Sequence, residues 1–467
     1  MFDLLQFKDN TAVIAQNGEQ LTYGQLAEVV EQLYHAIPEK GLLFCLCENL
    51  LGSFVGYVAC MNKHIPQVLL DGTKDLELVQ SLIAIYQPDY LWMPTARINE
   101  IGGKTIYQYH EYSLQLMEYA EPLANKEINP DLLLCLTTSG STGSPKLVRL
   151  SKKNLKSNAE SIAEYLRIDE NERAITTLPS YYSYGVSVIN SHLIKGATLL
   201  LTDGTVAQRE FWNFMKQNKA TSMSGVPYTY EMLNRLRFFR MDIPSLKVMT
   251  QAGGKLNKNL AKEYIDFAAE KGKKFYIMYG QTEATARMSY LPWEYTKEKY
   301  ASIGIAIPGG EFKLIDDNGD EITESETDGE LVYLGKNVSL GYADCKEDLI
   351  KGDENNGKLY TGDIARRDAD GFYYITGRKK RFIKIYGNRV NLDAAEQIIK
   401  EITTSCACVG IDDKMLIYIT DSSKSDQCRN LLSKKTGLNS RAFEVRIISE
   451  IPKNTSGKIL YANLLNE

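Results

Sequence analysis

The chain has 467 residues, 44% of them hydrophobic and 24% charged, a balance that fits a soluble globular protein of two or more domains. The net charge of −5 argues against a nucleic-acid partner, which would call for a basic face. No apolar run reaches the length of a membrane span, and Met1-Phe2-Asp3-Leu4 lacks the basic and apolar regions of a secretion signal, so a cytoplasmic protein with no membrane partner is expected.

In chain order, Thr22 and Gln25 stand at capping-box spacing, and Leu26, Val30 and Leu33 follow at helical spacing. Leu42 to Leu46 reads as a buried strand, Asp75 to Tyr86 as a helix stopped by Pro88, and Tyr90 to Met93 as the next strand. This alternation implies a mostly parallel sheet covered by helices. The tyrosine-rich stretch from Thr105 to Tyr119 shows no period and carries no assignment. Leu132 to Leu136 reads as a buried strand. Helices are expected over Asn154–Leu166, Gln208–Asn218 and Asn257–Glu270. Strands are expected over Ala174–Leu178, Gly196–Thr202, Leu246–Met249 and Phe275–Met278, a second α/β layer system. From Ser302 the pattern changes to short strands and turns such as Asp317-Asn318-Gly319, which suggests a small antiparallel or barrel-like subdomain. A basic run around Arg378 to Lys384 precedes a last stretch of about 90 residues that reads as a small α+β domain. The expected division is therefore residues 1–379 and 380–467.

Eight cysteines in so long a chain are no disulfide scaffold; Cys45 and Cys47, and Cys406 and Cys408, alternate as on one face of a strand. The four histidines show no metal-ligand spacing.

The stretch Thr137-Thr138-Ser139-Gly140-Ser141-Thr142-Gly143-Ser144-Pro145-Lys146 follows directly from a buried strand. Its hydroxyls, glycine backbone and lysine suit a nucleotide's phosphates, although it is not a Walker A loop. A flexible Ser/Gly linker is the plainer alternative, and its position after a strand argues against it. Tyr279-Gly280-Gln281-Thr282-Glu283 also follows an apolar strand, where ligands of open α/β sheets bind. Here an aromatic ring can stack on a base and a carboxylate can hold Mg²⁺ on phosphates. Asp363, in Tyr360-Thr361-Gly362-Asp363, suits ribose hydroxyls or an ordinary turn, and Asn454-Thr455-Ser456-Gly457-Lys458 puts a lysine on a small-residue loop.

In order and separation these stretches resemble the adenylate-forming superfamily, the AMP-dependent synthetases and ligases that include acyl- and aryl-CoA synthetases, peptide-synthetase adenylation domains and luciferases. Further matches to its motifs are Leu150-Ser151-Lys152-Lys153-Asn154-Leu155, Gly329-Glu330-Leu331 with Gly335 and Gly341-Tyr342, and Gly387-Asn388-Arg389-Val390. The resemblance implies a large N-terminal domain of two α/β subdomains and a small β subdomain, followed by a small mobile C-terminal domain. It implies that a small-molecule carboxylate attacks the α-phosphate of ATP with Mg²⁺ present. A thiol of CoA, or of a carrier protein's phosphopantetheine, then displaces AMP. It further implies that Thr137 to Gly143 and Lys146 hold phosphates. Tyr279, with Gly280 and Gln281 beside it, stacks on adenine, and Ala252, Gly253 and Gly254 border it. Thr282 contacts the α-phosphate, Glu283 the metal, Asp363 the ribose and Arg378 the ribose or phosphate side. Lys458 bridges carboxylate and α-phosphate in the first step, Lys384 serves the second, and Lys380 is the hinge. Tyr182, Tyr184, Gly185, Ala252 and Gly253 line the acyl pocket.

The sequence departs from the family pattern in three places. Lys380-Arg381 replaces the usual acidic pair, Tyr182 stands where a histidine is common, and Gly185 stands where amino-acid-activating members carry an aspartate. The last implies a substrate without a free α-amino group. Two alternatives stay open: a ligase that serves only a carrier protein or an amine, and a non-catalytic nucleotide-binding module of the same fold.

Overall fold

The computed structural model describes the chain except residues 74–75, 121–126, 138–145, 380, 386–387, 412, 454–458 and 466–467. The side chains of Phe382, Lys384, Asn388, Arg389, Asn391, Ile411, Ala462 and Leu465 are likewise outside the description. The expected phosphate-loop residues Thr138, Ser139, Gly140, Ser141, Thr142 and Gly143, the hinge Lys380, the side chain of Lys384, and Lys458 therefore lie outside the described residues. The chain packs as two compact units. One comprises Met1–Tyr300, Ile305–Glu311 and Leu334–Leu359; the other comprises Ala301–Gly304, Phe312–Tyr333 and Tyr360–Glu467.

The first unit is built on two large sheets. In one, the parallel strands Leu132–Thr137, Gln67–Asp71, Leu43–Cys47 and Tyr90–Pro94 lie side by side in that order. Apart from Asp71 and Thr137 at their ends, they form the buried, mostly apolar runs that a parallel sheet covered on both faces requires. Antiparallel strands extend both edges: Leu147–Ser151 and Gly341–Ala343 on one side, Tyr112–Leu116 and Lys104–Tyr109 on the other. The last two fill the stretch that showed no period. Their turn places His110 at φ 49, and the register of the hairpin shifts between Thr105 and Tyr107, which breaks the alternation that sequence reading depends on.

The other sheet runs Ile305–Ala306, Ser289–Leu291, Lys274–Tyr279, Val248–Gln251, Ser222–Gly225, Arg173–Ile175, Thr198–Leu201, Thr11–Ala15, Gln20–Thr22, and is parallel from Lys274–Tyr279 through Thr11–Ala15. The helix Tyr23–His35 opens with the expected capping box between Thr22 and Gln25. The helices Leu51–Lys63 and Ser183–Leu193 are buried on nearly every side, so neither carries the polar stripe by which an amphipathic helix is recognised. Ser183–Leu193 packs on Lys152–Leu166.

In the second unit the small β subdomain is a four-stranded sheet in the order Gly310–Ile315, Gly329–Gly335, Lys358–Arg367, Tyr373–Arg378. The C-terminal part has a three-stranded sheet, Cys406–Ile411 and Lys414–Ile419 antiparallel and Phe443–Ile447 parallel to the latter. The helices Leu392–Ile399 and Ser425–Thr436 cover it around a core of Ile399, Cys408, Ile417, Cys428, Leu432 and Phe443. Cys45, Cys47, Cys406 and Cys408 lie on strands as expected, and all are free thiols. No helix among the described residues is long and apolar enough to cross a membrane.

Candidate active site

The strand Lys274–Tyr279 delivers Tyr279 to its carboxyl end, and the chain then doubles back. A Cβ on Gly280 would stand 1.6 Å from the Ala286 carbonyl oxygen, so only glycine fits there. Thr282–Ala284 form a single 3₁₀ turn. Thr285 and Ala286 follow with φ of 57° and 96°. A positive φ on alanine stores on the order of 1–3 kcal/mol, and the surrounding bonds hold it in place. The Asn337 amide donates to the Ala284 and Arg287 carbonyls at 2.8 and 3.0 Å, and the Asn158 amide donates to the Arg287 carbonyl at 2.9 Å.

This turn aims Glu283 at the edge strand Gly341–Ala343. Tyr342 Oη donates to Glu283 Oε1 at 2.8 Å, and the Ser339 N–H donates to the Glu283 carbonyl at 2.8 Å. Burial, then the Glu283 charge, pushes the Tyr342 phenol up from its ordinary value, so it stays a donor. The antiparallel register Tyr342↔Val148 and Ala343↔Leu147 brings Lys146 alongside. Its Nζ lies 4.1 Å from the Tyr342 ring centroid and 4.0 Å from Asp344 Oδ2. Three stretches far apart in sequence, at Lys146, Glu283 and Tyr342, thus meet at one strand end. Sequence reading assigned Tyr342 to a motif but gave it no role; its signal was the Gly-Tyr pair itself.

Beside this group, Thr282 Oγ1 lies 3.1 Å from Ser183 Oγ, and Gln281 Nε2 donates to Tyr279 Oη at 3.3 Å. Thr137 closes the strand Leu132–Thr137. Ala252 follows the strand Val248–Gln251 and donates to the Gly225 carbonyl at 3.2 Å. Gln251 Nε2 donates to the Gly254 carbonyl at 2.8 Å. Gly253 has φ of 81°, and a Cβ on it would stand 2.7 Å from Tyr182 Oη. Tyr182 and Gly253 therefore face one another. Burial pushes the Tyr182 phenol up to about 12. Tyr184 is buried and donates to Thr250, its Oη lying 3.0 Å from the Thr250 carbonyl and 2.8 Å from Oγ1. Gly185 has no room for a side chain: a Cβ would lie 2.2 Å from the Pro179 carbonyl oxygen.

In the second unit, Asp363 and Arg378 are cross-strand partners, with Arg378 Nε 3.3 Å from Asp363 Oδ1. Asp363 is buried while Arg378 is largely exposed. Gly362 stands at φ 71° within the strand Lys358–Arg367, so Asp363 lies on a strand and not on the turn its sequence suggested; the Asp363 N–H donates to Thr361 Oγ1 at 3.1 Å, and Lys379 Nζ binds Glu330 Oε2 at 2.7 Å. The sequence named Asp363 and Arg378 separately; only the strand register pairs them. Arg381, next to the expected hinge, is held by Asp393 at 2.8 Å and Glu396 at 2.7 Å, and lies 3.6 Å over the Tyr461 ring.

No group of three or more acidic, histidine or cysteine side chains that could cage a metal exists among the described residues. The single carboxylate of Glu283, with one oxygen engaged by Tyr342, fits a Mg²⁺ that takes most of its ligands from phosphate and water.

Comparison with known proteins places the chain in a family. The family model described as AMP-binding enzyme matches residues 4–343. The long-chain-fatty-acid–CoA ligase of Salmonella typhimurium is 29% identical over 381 residues, covering 75% of this chain. That match spans only 64% of the relative's own length. The peroxisomal OPC-8:0-CoA ligase 1 of Arabidopsis thaliana is 25% identical over 97% of this chain and 89% of its own. Among solved structures, o-succinylbenzoate CoA synthetase (MenE) of Bacillus subtilis in complex with OSB-AMP superposes with a TM-score of 0.79 at 21% identity, covering 99% of this chain and 97% of that one. ATP-bound MatB of Rhodopseudomonas palustris gives 0.80 at 19% identity, with 99% and 97% covered. The matched family model spans most of the sequence, and the chain belongs to the AMP-binding enzyme family.

Proposed function

We propose that this chain is an ATP-dependent, AMP-forming acid–thiol ligase. The observation that carries the reading is the convergence of Lys146, Tyr342, Glu283 and Thr282 at the carboxyl ends of two sheets' strands. In the first step a carboxylate oxygen forms a bond to the α-phosphorus of ATP and pyrophosphate leaves. In the second a thiolate sulfur bonds the acyl carbon and AMP leaves, a much better leaving group than the original carboxylate oxygen. Lys146 and the phosphate loop from Thr137 to Gly143 would neutralise the pyrophosphate, and Tyr279 would stack on adenine between Gly280-Gln281 and Ala252-Gly253-Gly254. Thr282 would donate to the α-phosphate. Glu283 would hold Mg²⁺, which supplies charge stabilisation to the phosphates. Asp363 would take the ribose hydroxyls, its charge balanced by Arg378. Lys458 would bridge the two reacting groups, and Lys384 would act in the thiol step after residues 380–467 turn about Lys380. The relatives' names, ligases and synthetases of CoA, favour CoA as the acceptor; a carrier-protein phosphopantetheine is the second possibility. Tyr182, Tyr184, Gly185, Ala252 and Gly253 would form the acyl pocket. The Pro179 carbonyl against Gly185 leaves no place for an ammonium-binding carboxylate, which supports an acid without a free α-amino group.

The test is a product assay: protein, MgATP, CoA and a panel of acids labelled with ¹⁸O in the carboxyl group. Acyl-CoA with one ¹⁸O in the released AMP is expected. Label in inorganic phosphate, or ATP consumption that releases ADP, would overturn the reading.

A further inference from the structure

Arg287 has no part in the mechanism above, yet it is placed with unusual care. It follows directly on Ala286, the alanine at φ 96°, and it is 2% exposed. Its guanidinium lies 4.6 Å from the Tyr184 ring centroid, and Nη1 donates to Tyr165 Oη at 3.0 Å and to Met278 Sδ at 2.8 Å. Nε has no acceptor, and no carboxylate among the described residues pairs with the group. A guanidinium cannot shed its proton as a buried lysine or histidine does. A buried charge left without a partner is strongly destabilising, because its lost hydration is not repaid. Cation–π contact with the Tyr184 ring offsets only part of this.

The surroundings are polar and incomplete as well. Asn158 Oδ1, Ser161 Oγ and His192 Nε2, on the two helices packed beside Arg287, are buried without partners. Burial, with the Arg287 charge adding to it, holds His192 down at about 4, so it is neutral and cannot itself be a second charge. Arg287 also abuts the acyl pocket proposed above. Tyr184, whose ring it covers, stands 6.3 Å from the ring of Tyr182, and Tyr182 Oη meets Gly253. A permanent charge with an unsatisfied donor, set behind the wall of a substrate pocket, is explained if the substrate brings the missing anion.

We propose that Arg287 is the binding residue for a second, non-reacting anionic group of the substrate, so that the acid activated by this chain is a dicarboxylate. This rests on the adenylation reading. The reacting carboxylate goes to the α-phosphate while the distal one lies against the Tyr182–Tyr184 wall and completes the hydrogen bonding of Arg287 Nε.

The experiment is ATP–pyrophosphate exchange with Mg²⁺ on the intact chain, using a homologous series of straight-chain diacids from malonate to sebacate and the aromatic phthalates. Each is run beside the monoacid of equal length and beside its monomethyl ester. One or more diacids should exceed both partners by at least about 100-fold in kcat/KM, since a site built to bind a group rejects the analogue that lacks it. Arg287→Met should remove that preference while the monoacid rates stay the same or rise. The ester comparison removes the distal charge without touching the protein, and so holds even where Arg287→Met does not fold. Exchange with monoacids but no advantage for diacids overturns the assignment of Arg287 and leaves adenylation standing. No exchange with any acid overturns adenylation itself, and this assignment with it.

Discussion

At the scale of single residues, the proposed chemistry turns on Glu283 and what holds it. Its carboxylate is fixed from one side by Tyr342 and from behind by the Ser339 N–H to its own carbonyl. Removing the charge with Glu283→Gln should lower pyrophosphate exchange by about 10²- to 10³-fold, the usual loss for a group that stabilises transition-state charge. Tyr342→Phe removes only the phenol's hydrogen bond and should raise the KM for MgATP by up to about tenfold, in line with the ~1.5 kcal/mol of a hydrogen bond to a charged group. If Tyr342→Phe proved as damaging as Glu283→Gln, the phenol would have a direct catalytic part. His192 gives a prediction of another kind. Its folded value of about 4 lies below the ordinary 6.5, so the unfolded chain binds the proton more readily. Its contribution to stability is therefore complete above pH 6.5 and is lost as the pH falls towards 4. Between pH 7 and 5 this amounts to about 2 kcal/mol. Urea melts of the wild type and His192→Asn at the two pH values should differ by that amount in their pH dependence.

At the scale of elements, two glycines decide the shape of the site. Gly280 lets the chain reverse against Ala286, and Gly185 lets the helix Ser183–Leu193 start against Pro179. Gly280→Ala and Gly185→Ala should each destabilise the fold by about 2 kcal/mol or more, because the obstacle is a backbone oxygen that cannot swing aside. A urea midpoint unchanged from wild type would contradict the packing described. Elements were legible in sequence where polar and apolar residues share one face rule. Tyr23–His35 is an example, announced by Thr22, Gln25 and the spacing of Leu26, Val30 and Leu33. They were not legible where tertiary burial erases that rule. Ser183–Leu193 is buried all round, and the hairpin of Lys104–Tyr109 and Tyr112–Leu116 has a shifted register. The site followed the same division. Lys146, Thr282 and Glu283 were marked by glycine-rich local chemistry. Arg287 sits just past that chemistry in Ala284-Thr285-Ala286-Arg287-Met288 and is conspicuous only once its burial without a counter-ion is known.

At the scale of the whole molecule, the chain divides into two units, and the candidate residues divide with them. Lys146, Tyr279, Thr282 and Glu283 belong to one; Asp363 and Arg378 belong to the other. A two-step ligase whose C-terminal lysines serve different steps predicts separable losses. Lys458→Ala should cripple adenylation yet still transfer acyl from a supplied acyl adenylate to CoA, and Lys384→Ala should do the reverse. The sequence order of the motifs pointed to the family, whereas the pairing of Asp363 with Arg378 required the strand register. The most direct measurement is exchange of radiolabelled pyrophosphate into ATP by the wild-type chain with Mg²⁺ and a broad acid panel, without any thiol. Adenylation predicts acid-dependent exchange that Glu283→Gln lowers by about 10²- to 10³-fold. Folded protein that binds ATP but exchanges with no acid would contradict adenylation and leave a nucleotide-binding module in its place.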